Sequence, residues 1–156
     1  MIATLRDRLI GAWKLVTYVE KPIDGSAPSY PFSETPEGII MYTPDGFMSA
    51  QLCHSDRGRP FASGDWFKGT AEEYEAEASS YIAYTGPFHV DEEKQTLTHS
   101  MFISLFPNWI GQTQPRVVEI EGDFLNLSSA NPFQSAGKTV MAYLTWQRAA
   151  PASPCP

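Results

Sequence analysis

Cysteine and positive charge are what this sequence has least of. Two cysteines in 156 residues, Cys53 and Cys155, give neither a disulfide framework nor a metal-finger spacing. They read as reduced thiols in a cytoplasmic setting. Lys and Arg number 11 against 18 Asp and Glu, for a formal net charge of −7. The cations are scattered, so no run of them can neutralise a row of phosphates, and nucleic acid is excluded as a partner. The same acidity works against an anionic membrane surface. No apolar run approaches the roughly 20 residues of a spanning helix, and Arg6, Asp7 and Arg8 interrupt the opening stretch before it can act as a secretory signal. Three scattered histidines without His-x-His or His-Glu-x-x-His spacing make no metal site. Gly-x-Ser-x-Gly, Gly-x-Gly-x-x-Gly and phosphate-loop patterns are missing too, which leaves hydrolase and nucleotide readings unsupported and implies no cofactor.

What is present is apolar and aromatic: 42% hydrophobic residues, 13% of the chain being Phe, Trp or Tyr, enough for one domain with a real core. Strand-like stretches dominate, beginning with WKLVTYVE from Trp13 to Glu20. GIIMY and FMSAQL flank the turn Thr43 to Gly46, and RVVEI and FLNL flank Glu121 to Asp123, two tight hairpins. About eight strands joined mostly by short turns predict an antiparallel meander or barrel over residues 1–149, with a disordered tail at 150–156. Two helices are predicted, a short one within residues 3–10 and a longer one in TAEEYEAEASSYIAY, where Thr70 and Glu73 form a capping box. Residues 54–69 read as an irregular loop, a candidate lid carrying Trp66 and Phe67.

Alternation along each strand assigns side chains to an inner face. Ile40 and Tyr42 share one face, as do Met48, Ala50 and Leu52, and Phe88 with Val90. Leu97, His99, Met101, Ile103 and Leu105 form the apolar face of one predicted strand; Arg116, Val118 and Ile120 face in from the next, followed by Leu125 and Leu127. Three members of this list are polar: Tyr42, His99 and Arg116. Burying a guanidinium without a partner is expensive, and no acid in these strands evidently points in with it. An open, partly wet cavity with a polar focus accounts for Arg116 better than a solid barrel does.

LIGAWKL supplies a Gly-x-Trp at Gly11 to Trp13, and Arg148 stands at the end of the last strand. With GIIMYTPDGFMSAQL, YIAYTGPFHVD, LTHSMFISLFPNWIGQTQPR and LTWQR, the chain resembles the lipocalin-like domain family of bacteria and fungi from about Leu9 to Arg148. The resemblance implies a mainly β fold, a single antiparallel lipocalin-like β-barrel, with Arg148 lying across the face of Trp13. It implies a small intracellular protein, some relatives of which lie in natural-product pathways. More distant barrels of this kind act as cofactor-free cyclases, isomerases and pericyclases, an analogy of fold rather than of site.

The candidate catalytic residues are His99, as general acid or base, with Arg116 and Tyr42 holding an oxygen on which negative charge grows. Each has a plainer alternative: a core histidine tied to a backbone carbonyl, an arginine serving a loop carbonyl at the barrel mouth, a tyrosine filling core. Asn108 and Trp109, after the strand-ending Pro107, either line a binding site or make a turn and a plug. Met48, Met101, Phe88 and Tyr84 complete the candidate substrate-binding set. Two functions are expected from these residues. One is a cofactor-independent isomerase, cyclase or dehydratase acting on a hydrophobic oxygenated small molecule in secondary metabolism. The other is a binding protein that shelters such a molecule unchanged. Exposed loop aromatics leave room for a homodimer.

Overall fold

The computed structural model describes residues 2–154; Cys155 and the end of the predicted tail lie outside the described residues. The chain opens with α1 (Leu5–Leu9), whose N-terminus is closed by a reciprocal box between Thr4 and Asp7. Ten strands follow: β1 (Gly11–Pro22), β2 (Glu37–Tyr42), β3 (Phe47–Cys53), β4 (Tyr81–Asp91), β5 (Thr96–Ser100), β6 (Ile103–Ser104), β7 (Thr113–Glu121), β8 (Phe124–Ser129), β9 (Phe133–Ser135) and β10 (Lys138–Arg148). Eight of them pair antiparallel in the order β1-β2-β3-β4-β5-β7-β8-β10, and β10 returns to β1 to close the barrel. β6 adds to β4 and β9 to β10 outside that circuit. The expected barrel is thus the observed fold.

The two barrel ends differ. At one, α1 lies across the turns: Leu5 and Leu9 are buried in the core, the backbone amides of Leu5 and Arg6 donate to the Glu92 carboxylate, and Arg6 and Arg8 donate to the carbonyls of Pro44 and Ile120. Arg148 completes this floor as the resemblance implied, 4.0 Å from the Trp13 ring centroid and donating to the carbonyls of Ile10 and Arg8. Gly11 makes room for it. Its φ is +121°, and a Cβ there would approach Arg148 Nη1 to 3.3 Å. The opposite end is made of longer connections, 23–36, 54–80 and 101–112, and it stays open.

Two expectations need correction. The longer helix, α2, covers Ala71–Ser79 with the predicted Thr70–Glu73 box, but Tyr81 to Tyr84 begin β4 instead of ending the helix. Pairing of that aromatic, β-branched run with β3 outweighs its fit to a helix. The strand expected to run on through Leu105 stops at Ser100. Ile103 and Leu105 are exposed, and Met101 is the last inward residue. Gly86 explains the break, because β4 and the end of β5 approach so closely there that a Cβ would fall 1.6 Å from the Ser100 carbonyl oxygen.

Candidate functional site

The open end leads into a cavity of about 800 Å³, a volume suited to a small organic molecule. Leu52, Ile82, Leu127, Leu144 and Trp146 give it apolar walls, and Phe32, Phe106 and Trp109 stand at its mouth.

Of the candidate catalytic residues, His99 and Arg116 reach this cavity. His99 is 1% exposed, because β5 alternates with only Leu97 and His99 facing inward. Its Nε2 lies 2.9 Å from the Tyr42 hydroxyl oxygen, and its Nδ1 is buried without a partner. Burial, reinforced by the Arg116 charge, pushes the imidazole down to about 3. Tyr42 touches the site only through His99. Burial raises its phenol well above the ordinary range, and it is not part of the cavity wall. Met48, Met101 and Phe88 are buried core residues that likewise do not line the cavity. Phe88 packs edge-on to Tyr42 and lies under the Arg6 guanidinium, which places it at the closed end.

The remaining candidates gather at the mouth. Tyr84 is buried, with its ring 5.4 Å edge-to-face from Trp109 and 6.4 Å from His99. Burial raises its phenol, against the opposing influence of Arg116. Asn108 and Trp109 belong to a single 3₁₀ turn, Pro107–Trp109, in which Asn108 is exposed and Trp109 half-buried. From the Asn108 carbonyl a chain of side-chain amides leads inward. Gln112 donates to that carbonyl, Gln114 donates to Gln112, and Arg116 donates to Gln114 at 2.6 Å. Arg116 is half-buried and also donates to the Pro115 carbonyl. Trp66 and Phe67 are exposed and flank a shallow dent beside Leu105 rather than the main cavity.

The sequence pattern missed two residues of the site, Tyr18 and Glu20. Counted by strict alternation from Trp13, both fall on the outer face. The β1–β10 register shifts between Leu15 and Thr17, so Val16 is an extra residue, and a bulge of this kind reverses which positions face in. Beyond it Tyr18 and Glu20 line the cavity, and Glu20 is 4% exposed. The Tyr18 hydroxyl donates to Glu20 Oε1 at 2.8 Å; burial first, and then Glu20, raise that phenol. The only legible signal was a single acid in a strand otherwise rich in apolar and aromatic residues.

Among the described residues no cluster of three or more His, Cys, Asp or Glu side chains gathers as a metal would require, and no helix is long and apolar enough to cross a membrane. Comparison with known proteins agrees with the barrel geometry. The 4'-hydroxy-3'-methoxypropiophenone carrier protein ppsC of Aspergillus oryzae (strain ATCC 42149 / RIB 40) is 39% identical over 108 residues, covering 65% of this chain and 96% of the relative. The lipocalin-like domain family matches residues 10–149. With its closed eight-strand circuit and the Arg148–Trp13 floor, the chain belongs to the lipocalin-like domain family.

Proposed function

We propose that this protein is a binding protein of secondary metabolism that carries a hydrophobic, oxygenated aromatic molecule inside its barrel. The observation that carries the reading is the cavity itself. About 800 Å³ of mostly apolar space opens at one end and holds a few convergent polar groups, which is the form of a small-molecule site. The relative named as a carrier of a hydroxy-methoxy aryl ketone supports the ligand class.

A cofactor-independent isomerase or cyclase is the second reading, and one atom favours it: the unpartnered Nδ1 of His99, buried at the cavity wall. The surroundings of that ring work against it. An imidazole held down to about 3 is a poor proton carrier near neutrality, and its other nitrogen is engaged by Tyr42. Tyr42 and Tyr84 are both shifted away from proton release by burial. The geometry therefore supports holding better than turning over.

The test is titration with 4'-hydroxy-3'-methoxypropiophenone, read by tryptophan fluorescence because Trp109 and Trp146 line the cavity, followed by chromatography with mass detection of the released compound. Saturable quenching with the compound returned unchanged is the expected result. An equal-mass product formed by the wild type but not by His99→Ala would establish the enzyme in place of the carrier. Absence of saturable binding would remove the proposed ligand class.

A further inference from the structure

Arg116, Ser129, Ala142 and Glu20 form one continuous row across four adjacent strands. Arg116 on β7 pairs with Ser129 on β8, and the Ala142 amide of β10 donates to the Ser129 hydroxyl at 3.0 Å. Ala142 pairs in turn with Glu20 on β1. All four line the cavity. The two middle residues are small, so the row is a shallow band on the wall with a long charged side chain at each end. Three strand spacings separate those ends along the wall, about 14 Å between backbones.

The charges do not satisfy each other. Among the described residues, the only ion pairs within 4.0 Å are Lys68–Asp65 and Lys94–Asp91, both on the surface. The partners of Arg116 are neutral: the Gln114 side chain and the Pro115 carbonyl, with the Tyr84 hydroxyl beside them. Glu20 receives one hydrogen bond, from Tyr18 at Oε1, and Oε2 has no donor although the residue is 4% exposed. The backbone holds this carboxylate firmly, since the N–H and C=O of Glu20 both pair with Ser29 at 2.9 Å. Neither charged head is sealed in packed core: among the described residues the fully buried unpaired side-chain atoms are His99 Nδ1 and Trp146 Nε1. A guest that fills the cavity takes water away from both charges, and that cost is offset only where the guest donates to the carboxylate and accepts from the guanidinium.

We propose that the cavity binds its ligand by two chemically opposite ends, in one orientation: a ligand hydroxyl donates to Glu20, and a ligand carbonyl or enolate oxygen accepts from Arg116, with an apolar body lying over Ser129 and Ala142. This rests on the carrier reading and its hydroxyaryl ketone ligands, and adds to it the two residues that hold the ends and the polarity in which the ligand lies. Tyr18 is a positioning residue. Its hydroxyl occupies Oε1 and leaves Oε2 for the guest.

Three probes separate the ends: 4'-hydroxypropiophenone, its methyl ether 4'-methoxypropiophenone, which has no donor, and 4-propylphenol, which has no carbonyl. A hydrogen bond to a charged group is worth about tenfold or more in affinity. The wild type is expected to bind the hydroxyketone about tenfold more tightly than either truncated probe. In Glu20→Gln the advantage over the methyl ether disappears while the affinity for the ether itself holds. In Arg116→Met the advantage over the propylphenol disappears while the affinity for the propylphenol holds. Because the wild-type ranking needs no variant, a poorly folding mutant does not spare the proposal. Equal binding of all three probes to the wild type would overturn the two-ended row and leave an apolar carrier standing, as would variants that weaken every probe alike. If the wild type bound none of them, the ligand class and the carrier reading would fall together.

Discussion

At the residue scale, His99 is the group whose chemistry the fold changes most. Its ring is 1% exposed, and its proton affinity is pushed down to about 3 by burial and by Arg116, against about 6.5 in an unfolded chain. Between those values the unfolded state binds a proton that the native state refuses, so stability rises with pH across the interval. The contribution is complete above about pH 6.5 and is lost as the pH falls toward about 3; over the whole interval it is on the order of 5 kcal/mol. Urea unfolding of the wild type is therefore expected to weaken steadily from about pH 6.5 to about pH 4, and His99→Gln, which cannot titrate, to show a much flatter profile. Equal slopes for the two proteins would mean that the imidazole is not a buried neutral base. The inward placement of His99, Tyr42 and Arg116 was legible in the sequence, because alternation holds along their strands. That of Glu20 was not, because a single extra residue at Val16 reverses the count and leaves no mark in composition.

At the scale of elements, the barrel's least forgiving point is the crossing of β4 with the end of β5. Phe88 pairs with His99 on β5, but two turns of the pleat earlier Tyr84 pairs with Ser104 on β6. Between these partners lies Gly86, where any Cβ would meet the Ser100 backbone at a distance no relaxed structure allows. Gly86→Ala must therefore move backbone rather than a side chain. It is expected to cost about 3 kcal/mol, the upper end for overpacking, and to loosen His99 and Tyr84 together. Chemical denaturation gives the first quantity, and loss of affinity for the aromatic probe gives the second. A cost below about 1 kcal/mol would show that the crossing is looser than drawn. This crossing also shows why element boundaries were harder to read than elements. The Thr70–Glu73 box announces the start of α2 correctly. Nothing local announces its end, since Tyr81 to Tyr84 become a strand only because β3 stands ready to pair with them. The apolar spacing of Ile103 and Leu105 likewise suggests a continuing strand, and it is the contact at Gly86, distant in sequence, that ends it.

For the whole molecule, the floor and the cavity divide the work between two ends of one barrel. The Arg148 guanidinium over Trp13, with its two carbonyl partners, joins the first strand to the last where no ligand reaches. Ala142 is buried in the cavity row, away from that floor. Arg148→Met removes a cation–π contact and charged hydrogen bonds, a loss of about 2 kcal/mol. Ala142→Phe projects into open volume, so it is expected to cost less than the roughly 1–3 kcal/mol of overpacking a filled core while blocking the row. Ligand linkage then separates the roles, because a guest that binds only the native state adds about 2.7 kcal/mol at a hundredfold excess over its dissociation constant, whatever the starting stability. Thermal denaturation with and without 4'-hydroxypropiophenone should accordingly give Arg148→Met the full wild-type increment from a lowered baseline, and give Ala142→Phe almost no increment from a nearly unchanged one. If Arg148→Met instead lost the increment in proportion to its stability, the two ends would be coupled through the strands, and the cavity would depend on barrel closure as a whole rather than on its own row of residues.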